Sequence, residues 1–156
     1  MIIVKAIIDG KVINVLKFSY EFNQASDVSG RPSQQPLFGG ISLTVEARKD
    51  IKFIEWMIAR NLTKQIIIEI HPAILGGRIR RIKLFDAHLT YWKTNFSATN
   101  EKPLSETLII TAGGFEDSFS EGVFSTTWRE TFPGGNEVAA TSIEERKEIK
   151  VKTKLS

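Results

Sequence analysis

Apolar and polar residues alternate along most of this chain with the two-residue period of a half-buried strand. Residues 2–8 and 11–18 are apolar and rich in β-branched side chains, with Asp9-Gly10 between them. Asp-Gly predicts a type I′ hairpin turn, because both central positions of that turn need positive φ. Ile41, Leu43, Val45 and Ala47 then alternate with Ser42, Thr44 and Glu46, predicting a strand buried on one face. Residues 65–70, 78–85, 86–93 and 107–112 predict further strands. Two pieces close the chain: 123–132, where Phe124, Trp128 and Phe132 recur on one side, and 149–155, where Lys150, Lys152 and Lys154 alternate with Ile149, Val151, Thr153 and Leu155. The latter pattern predicts one solvated strand face.

Helical period is confined to about 49–61. At roughly 100° per residue, Ile51, Ile54, Ile58 and Leu62 share one stripe, with Met57 at its edge and Phe53 widening it. Asp50 is placed to cap the start or to complement the helix dipole. Trp56 falls off the stripe: it either lies over a strand of its own subunit or is left outside as a possible interface anchor. The sum is a mainly β fold, a β-barrel or sandwich of about eight or nine strands with one flanking α-helix and a long extended loop. Length favours a single domain over 1–156, with an extended arm at 27–40 and an uncertain C-terminal segment at 133–156. The polar stretches 94–106 and 133–142 read as surface loops.

Composition narrows the options. The 156 residues hold no cysteine, so there is no disulfide framework, thiol nucleophile or cysteine-based zinc site. Net charge is +3 with 25% charged residues, mildly basic, which permits an acidic partner without requiring one. Lys5 interrupts the apolar N-terminus, so the layout is not that of a signal peptide. No run approaches the roughly 18 apolar residues of a transmembrane helix. A soluble protein without membrane insertion is expected.

Candidate chemistry is sparse. His71 and His88 lack metal-ligand spacing and read as surface histidines. Asp86 and His88 would share a strand face, with Glu69 on another strand, and an acid–base trio could be imagined there; polar alternation explains the same residues. The glycines near Arg31-Pro32-Ser33 are no phosphate loop, since the Gly-Lys signature is missing and no helix follows at once. Gly76-Gly77 and Gly113-Gly114 read as turns or bulges. Arg78, Arg80 and Arg81 beside Phe85, Tyr91 and Trp92 raise a nucleic-acid platform. Strand alternation, however, puts Arg81 on the opposite face from the other two. No catalytic, cofactor or metal residue is assigned.

The segment Asp27–Gly40, DVSGRPSQQPLFGG, is the feature the plain fold does not absorb. Its fourteen residues could reach roughly 46 Å if fully extended, and loops of this length in compact domains are usually functional or disordered. Disorder, folding back on the barrel and docking on a neighbour are the three readings. Composition favours docking: Pro32 and Pro36 stiffen the segment, and Leu37 and Phe38 are costly to leave in water. Gly30, Gly39 and Gly40 supply permissive backbone.

These residues also carry a resemblance. FSYEFNQASDVSGRPSQQPLFGGISLTVEA, followed by IEWM, RIKLFDAHLTYW and LIITAG, resembles the haemolysin-coregulated tube protein of type VI secretion, in its Bacteroidetes-type form, over about residues 16–132. The most specific part is Ser19–Ser33. The resemblance implies a β-barrel with a flanking helix, related in fold to phage tail-tube subunits. It further implies self-association into hexameric rings that stack as a hollow tube carrying effectors, with sheath, spike and effector proteins as partners. Assembly would be cytoplasmic, with export by the apparatus itself. The segment Asp27–Gly40 would be the arm reaching an adjacent subunit or ring, with Arg31, Pro32, Leu37 and Phe38 as main contacts, Asp27, Gly30, Ser33, Pro36, Gly39 and Gly40 completing it, and Trp56 as a possible addition. The family is a conduit and not a catalyst; the alternative readings are a phage-like tail-tube subunit, or a monomeric β-barrel that binds nucleic acid or a small ligand.

Overall fold

The structure, a computed structural model, describes residues 1–59, 61–99, 103–120 and 122–132. The expected loop at 133–142 and strand at 149–155 lie outside the described residues. In chain order the elements are β1 (Ile3–Ile8), β2 (Lys11–Asn23), β3 (Leu37–Glu46), α1 (Phe53–Ile58), β4 (Lys64–His71), β5 (Arg80–Phe96), β6 (Leu104–Thr111), β7 (Gly114–Asp117) and β8 (Val123–Ser125).

The strands are hydrogen-bonded in the order β4-β1-β2-β3-β6-β5-β7-β8, and an additional β4–β5 pairing closes the first six into a barrel. Asp9 (φ 54°) and Gly10 (φ 74°) make the β1–β2 turn that their sequence predicts. Two long strands turn the corners of the barrel. The first part of β2 pairs with β1 and the rest with β3, with a register shift between Val15 and Lys17. The strand β5 pairs with β4 up to Ala87 and with β6 from His88. Residues 78–85 and 86–93 are therefore not two strands; Arg80–Phe96 is one strand bent at Asp86, which adopts φ 55°. A corner of this kind lets one strand serve two sheets. The expected loop at 94–106 is likewise shorter, since β5 runs to Phe96 and β6 begins at Leu104.

Alternation puts Ile8, Ile13, Ile41, Leu43, Val45, Ile66, Ile68, Ile82, Leu84, Leu108 and Ile110 inside, each at most 1% exposed. Burying such a side chain stabilises the fold by about 2 kcal/mol. Glu106 shares that inner face and is buried as well. Burial pushes its carboxyl above the usual range, and the neighbouring Trp92 indole only partly offsets this. Neither Trp92 Nε1 nor Glu106 Oε2 has a well-formed hydrogen bond.

The helix departs from its sequence reading. It spans six residues, and Phe53 and Trp56 form its buried face. Ile54 and Ile58, expected on the inner stripe, are 53% and 73% exposed, and Leu62 is also exposed. In so short a helix no long stripe can decide the orientation, and the aromatic i, i+3 pair hides more apolar area than the isoleucines. Trp56 is 2% exposed and donates through Nε1 to the Ala87 carbonyl at 3.2 Å, fastening the helix to β5. It is thus part of the core and not an interface anchor. Asp50 does not cap the helix: its carboxylate is held by Arg48 Nε at 2.9 Å, and no side chain caps at Lys52.

Two outcomes follow for folding. Trp56→Ala should destabilise by about 3–5 kcal/mol in chemical denaturation, whereas Ile54→Ala should change stability by less than about 0.5 kcal/mol in the isolated subunit. Because the folded-state pKa of Glu106 is raised, its contribution is complete below the ordinary glutamate pKa and is lost as pH rises through the folded value. Glu106→Gln should therefore gain on the wild type in denaturation midpoint as pH rises from 4 toward 8; a pH-independent difference would refute this.

Candidate assembly surface

The segment singled out by sequence is a projecting hairpin built on barrel strands. Beyond the barrel, β2 and β3 stay paired through Phe22–Phe38 and Asn23–Leu37. The ladder then continues loosely through a Ser26–Pro32 bridge, a Ser33 N–H to Ala25 carbonyl bond of 2.8 Å, and Gln24 Nε2 donating to the Gln34 carbonyl at 3.0 Å. Leu37–Gly40 thus belong to β3, and only the middle of the fourteen residues lies outside strands. Sequence reading missed this because Pro36 and the two glycines mask the alternation.

The tip is tied by Asp27. Its Oδ1 accepts from Ser29 N–H at 2.9 Å, Ser29 Oγ at 2.6 Å and Arg31 N–H at 3.1 Å. Its own N–H donates to the Arg31 carbonyl at 2.8 Å. Asp and Ser close such turns because their short side chains reach the backbone two to four residues on. The Ser29 hydroxyl, with the Arg31 and Ser29 amides, holds the Asp27 carboxyl below its ordinary range. Gly30 at φ 88° completes the turn. Every residue from Glu21 to Leu37 is exposed. Leu37 is 61% exposed, and Arg31, whose backbone closes the turn, is exposed as well.

The root is aromatic. Phe38 is half-buried, with its ring 5.2 Å from Phe22, 5.4 Å from Phe115 and 6.2 Å from Phe124. Gly39 and Gly40 oppose the register shift between Tyr20 and Phe22. Gly40 is required there: its φ is 87°, and a Cβ would meet the Ile110 carbonyl at 3.1 Å. Between the root and β7–β8 lies an open cleft of about 1100 Å³, walled by Phe22, Leu37, Val123, Phe124 and Trp128. Arg80 lies at this cleft and donates to both Asp117 carboxylate oxygens and to the Tyr20 hydroxyl at 3.0 Å. Burial raises the Asp117 carboxyl, but the Arg80 and Phe119 hydrogen bonds outweigh it and leave the group low.

Two charged residues fix the wall of that cleft. Arg129 is buried, with its guanidinium 4.3 Å from the Phe85 ring and 4.4 Å from Phe132. It donates to the Thr131 carbonyl and Ser125 Oγ at 2.7 Å and to Glu116 at 3.1 Å. Gly113 and Gly114 leave the space: a Cβ on Gly114 would meet Arg129 at 2.5 Å, and one on Gly113 would meet Trp128 at 3.0 Å. Asp86 accepts from Glu130 N–H at 2.6 Å, Thr131 N–H at 2.8 Å and Thr131 Oγ1 at 2.6 Å. Burial would raise its carboxyl, but these bonds, with Gln65, prevail and lower it. The short strand β7 and this double clasp escaped sequence reading; the Gly113-Gly114 pair was their one local sign.

The remaining candidates do not converge. Glu69 is held by Arg81 at 2.9 Å and lies 3.4 Å from His71. The Asp86 oxygens are occupied as above, and His88 lies against Trp128 with ring centroids 5.4 Å apart. Arg80 and Arg81 are neutralised by Asp117 and Glu69, while Arg78 lies over Phe119. Among the described residues no group of three or more histidines and carboxylates could hold a metal ion, and no helix is long and apolar enough to cross a membrane.

The family model described as hemolysin coregulated protein Hcp (TssD) matches residues 2–129. The solved structure of Hcp1 from Flavobacterium johnsoniae is similar at 28% identity and a TM-score of 0.71, covering 80% of this chain and 99% of that one. Hcp1 from Salmonella typhimurium, at 15% identity and TM-score 0.59, shares the fold over 80% of this chain and 92% of that one. So does a type VI secretion system effector from Yersinia pestis, at 14% identity and TM-score 0.57 over 79% and 96%. No curated protein matches the chain.

The clasp is testable by titration. Since the Asp86 pKa is depressed in the fold, its stabilisation is present above the ordinary aspartate pKa and is lost as pH falls through the folded value. Asp86→Asn should cost about 1–3 kcal/mol at neutral pH, with the gap to wild type closing in urea melts below roughly pH 4.

Proposed function

The chain belongs to the hemolysin-coregulated protein (TssD) family, and on that premise we propose that it is a structural subunit that self-assembles into hexameric rings stacking as the inner tube of a type VI secretion system, carrying effectors. The observation that carries this reading is the hairpin arm, which lies within the matched residues 2–129 and projects in a preorganised form. A rigid arm binds a partner with less ordering entropy to overcome than a floppy one.

Asp27, Gly30, Pro32 and Ser33 shape the arm in this reading. Arg31, Pro36 and Leu37 offer its contact surface, while Phe38, Gly39 and Gly40 set its root. The exposed Ile54 and Ile58 on α1 and the cleft beside β8 are further surfaces for a second copy. Head-to-tail contacts of this kind close into a ring and leave the same surfaces satisfied on every subunit. A stable contact buries on the order of 1,600 Å², more than the arm tip supplies, so more than one patch takes part.

The residues 1–156 act in this proposal as one tube-subunit domain with a mechanical role and no catalysis. Its partners are copies of itself and the sheath, spike and effector proteins of the machine. Rings assemble in the cytoplasm and leave through the apparatus itself. The pairing of Arg80 and Arg81 with carboxylates supports this reading over a nucleic-acid platform.

Replacing residues 25–34 with an Asn-Gly turn should leave a cooperatively folded barrel while weakening ring closure or stacking. Light scattering coupled to size exclusion and negative-stain images would show it, and unchanged rings and stacks would refute a role for the arm.

A further inference from the structure

Among the described residues β8 pairs with β7 alone and ends the strand order, so its second edge is open. An edge strand turns alternate N–H and C=O groups away from its one partner, and these can take a further strand. The open edge borders the cleft of about 1100 Å³ beside the arm root, where Phe22, Leu37, Val123 and Trp128 are all exposed. Apolar side chains gathered on one concave surface mark a docking place. The two faces of β8 differ. Phe124 pairs with Phe115 and stands on the root side, its ring 5.4 Å from that of Phe22. Val123 and Ser125 point the other way, where Ser125 Oγ accepts from Arg129.

The chain itself holds a matching sequence. Ile149, Val151, Thr153 and Leu155 alternate with Lys150, Lys152 and Lys154, giving a largely apolar side and a side of three cations. An added strand of that pattern sets its apolar side against Phe124 and Phe22 and its lysines beside Val123, toward water. Lysines on the new outer strand also deter another strand from joining. The family match ends at residue 129, so the shared barrel does not account for this segment. The starting point is close. The Phe132 ring lies 4.4 Å from the Arg129 guanidinium, and Trp128, next to Arg129, walls the cleft. Residues 133–148 could span roughly 50 Å if extended, more than the roughly 30 Å breadth of a small domain. Pro133, Gly134 and Gly135 permit a reversal at once. A tether of this length holds its end at an effective concentration on the order of millimolar, which favours the chain's own segment over that of a second copy.

We propose that residues 149–155 dock in this cleft as an added strand on the open edge of β8 in the same chain. The docking itself does not rest on the tube reading. Where that reading holds, the segment covers a surface that a second copy would use, and it shields the apolar cleft from unspecific contact until assembly displaces it.

The chain has no cysteine, so an introduced pair forms its disulfide without competition. Val123→Cys, on an exposed side chain, would be combined in the full chain with one further cysteine at a time and mildly oxidised. Residues directly opposite on neighbouring strands bring their Cα atoms to about 4.5–5.5 Å, within disulfide range. Linking should occur with one or more of Lys150→Cys, Lys152→Cys and Lys154→Cys, which share the face of Val123. Ile149→Cys, Val151→Cys and Thr153→Cys point to the other face and should link with roughly tenfold lower yield. Non-reducing electrophoresis should show the link within one chain, as a band of shifted mobility at monomer mass. Adding Val151→Asp to the linking pair should abolish it, because a carboxylate would then face the aromatic wall. Equal yields on both faces, or none on either, would overturn the proposal. A dimer band would overturn the assignment to the chain's own segment and give the cleft to a second copy. Wild-type protein that forms no rings would overturn the tube reading and leave the linking result standing.

Discussion

Backbone pairing between β2 and β3 does not stop where the barrel stops. The same ladder that seats Leu43 and Val45 in the core runs on past Phe22 and Phe38 and ends at a turn closed by the Asp27 carboxylate. An arm anchored in this way inherits its direction from the barrel. A free fourteen-residue loop would lose roughly 1–2 kcal/mol per residue in backbone entropy on docking, and a hairpin already held by register and by an Asx turn has met most of that cost during folding. The proposed assembly depends on this rigidity, because contacts repeated around a ring close only if each subunit presents its arm at the same angle.

The root makes that angle definite. Gly40 brings β3 close to the Ile110 carbonyl, and the Phe22, Phe38, Phe115 and Phe124 rings fill the space beneath the arm. The wall opposite is held by electrostatics inside a poorly hydrated site. Arg129, between two aromatic rings, and Asp86, with its three bonds to residues 130 and 131, bind the segment after β8 to the bend of β5. Each is surrounded by compensating partners, without which burying the charge would cost more than it returned. A mainly apolar barrel thus carries charge at the points where geometry has to be definite.

Much of the architecture was legible because it is local. The Asp9-Gly10 turn, the alternation from Ile41 to Val45 and the runs at 65–70 and 107–112 became the elements their periodicity predicts. The helix was legible in place and not in orientation: Ile54 and Ile58 fit the stripe, yet Phe53 and Trp56 took the inner face once β5 offered the Ala87 carbonyl. The arm was legible as a special segment and misread as a loop, since proline and glycine conceal a strand whose register is set by its partner.

Periodicity, turn chemistry and composition by themselves determined that this is a barrel-like β protein with a projecting segment at 27–40 and without cysteine chemistry, because those properties depend on neighbours a few residues apart. Tertiary structure alone decided that β5 bends at Asp86, that Trp56 is core, and that Arg129 and Asp86 clasp the segment after β8. Each of these joins residues separated by tens of positions, and only the register of the closed sheet says which of them meet.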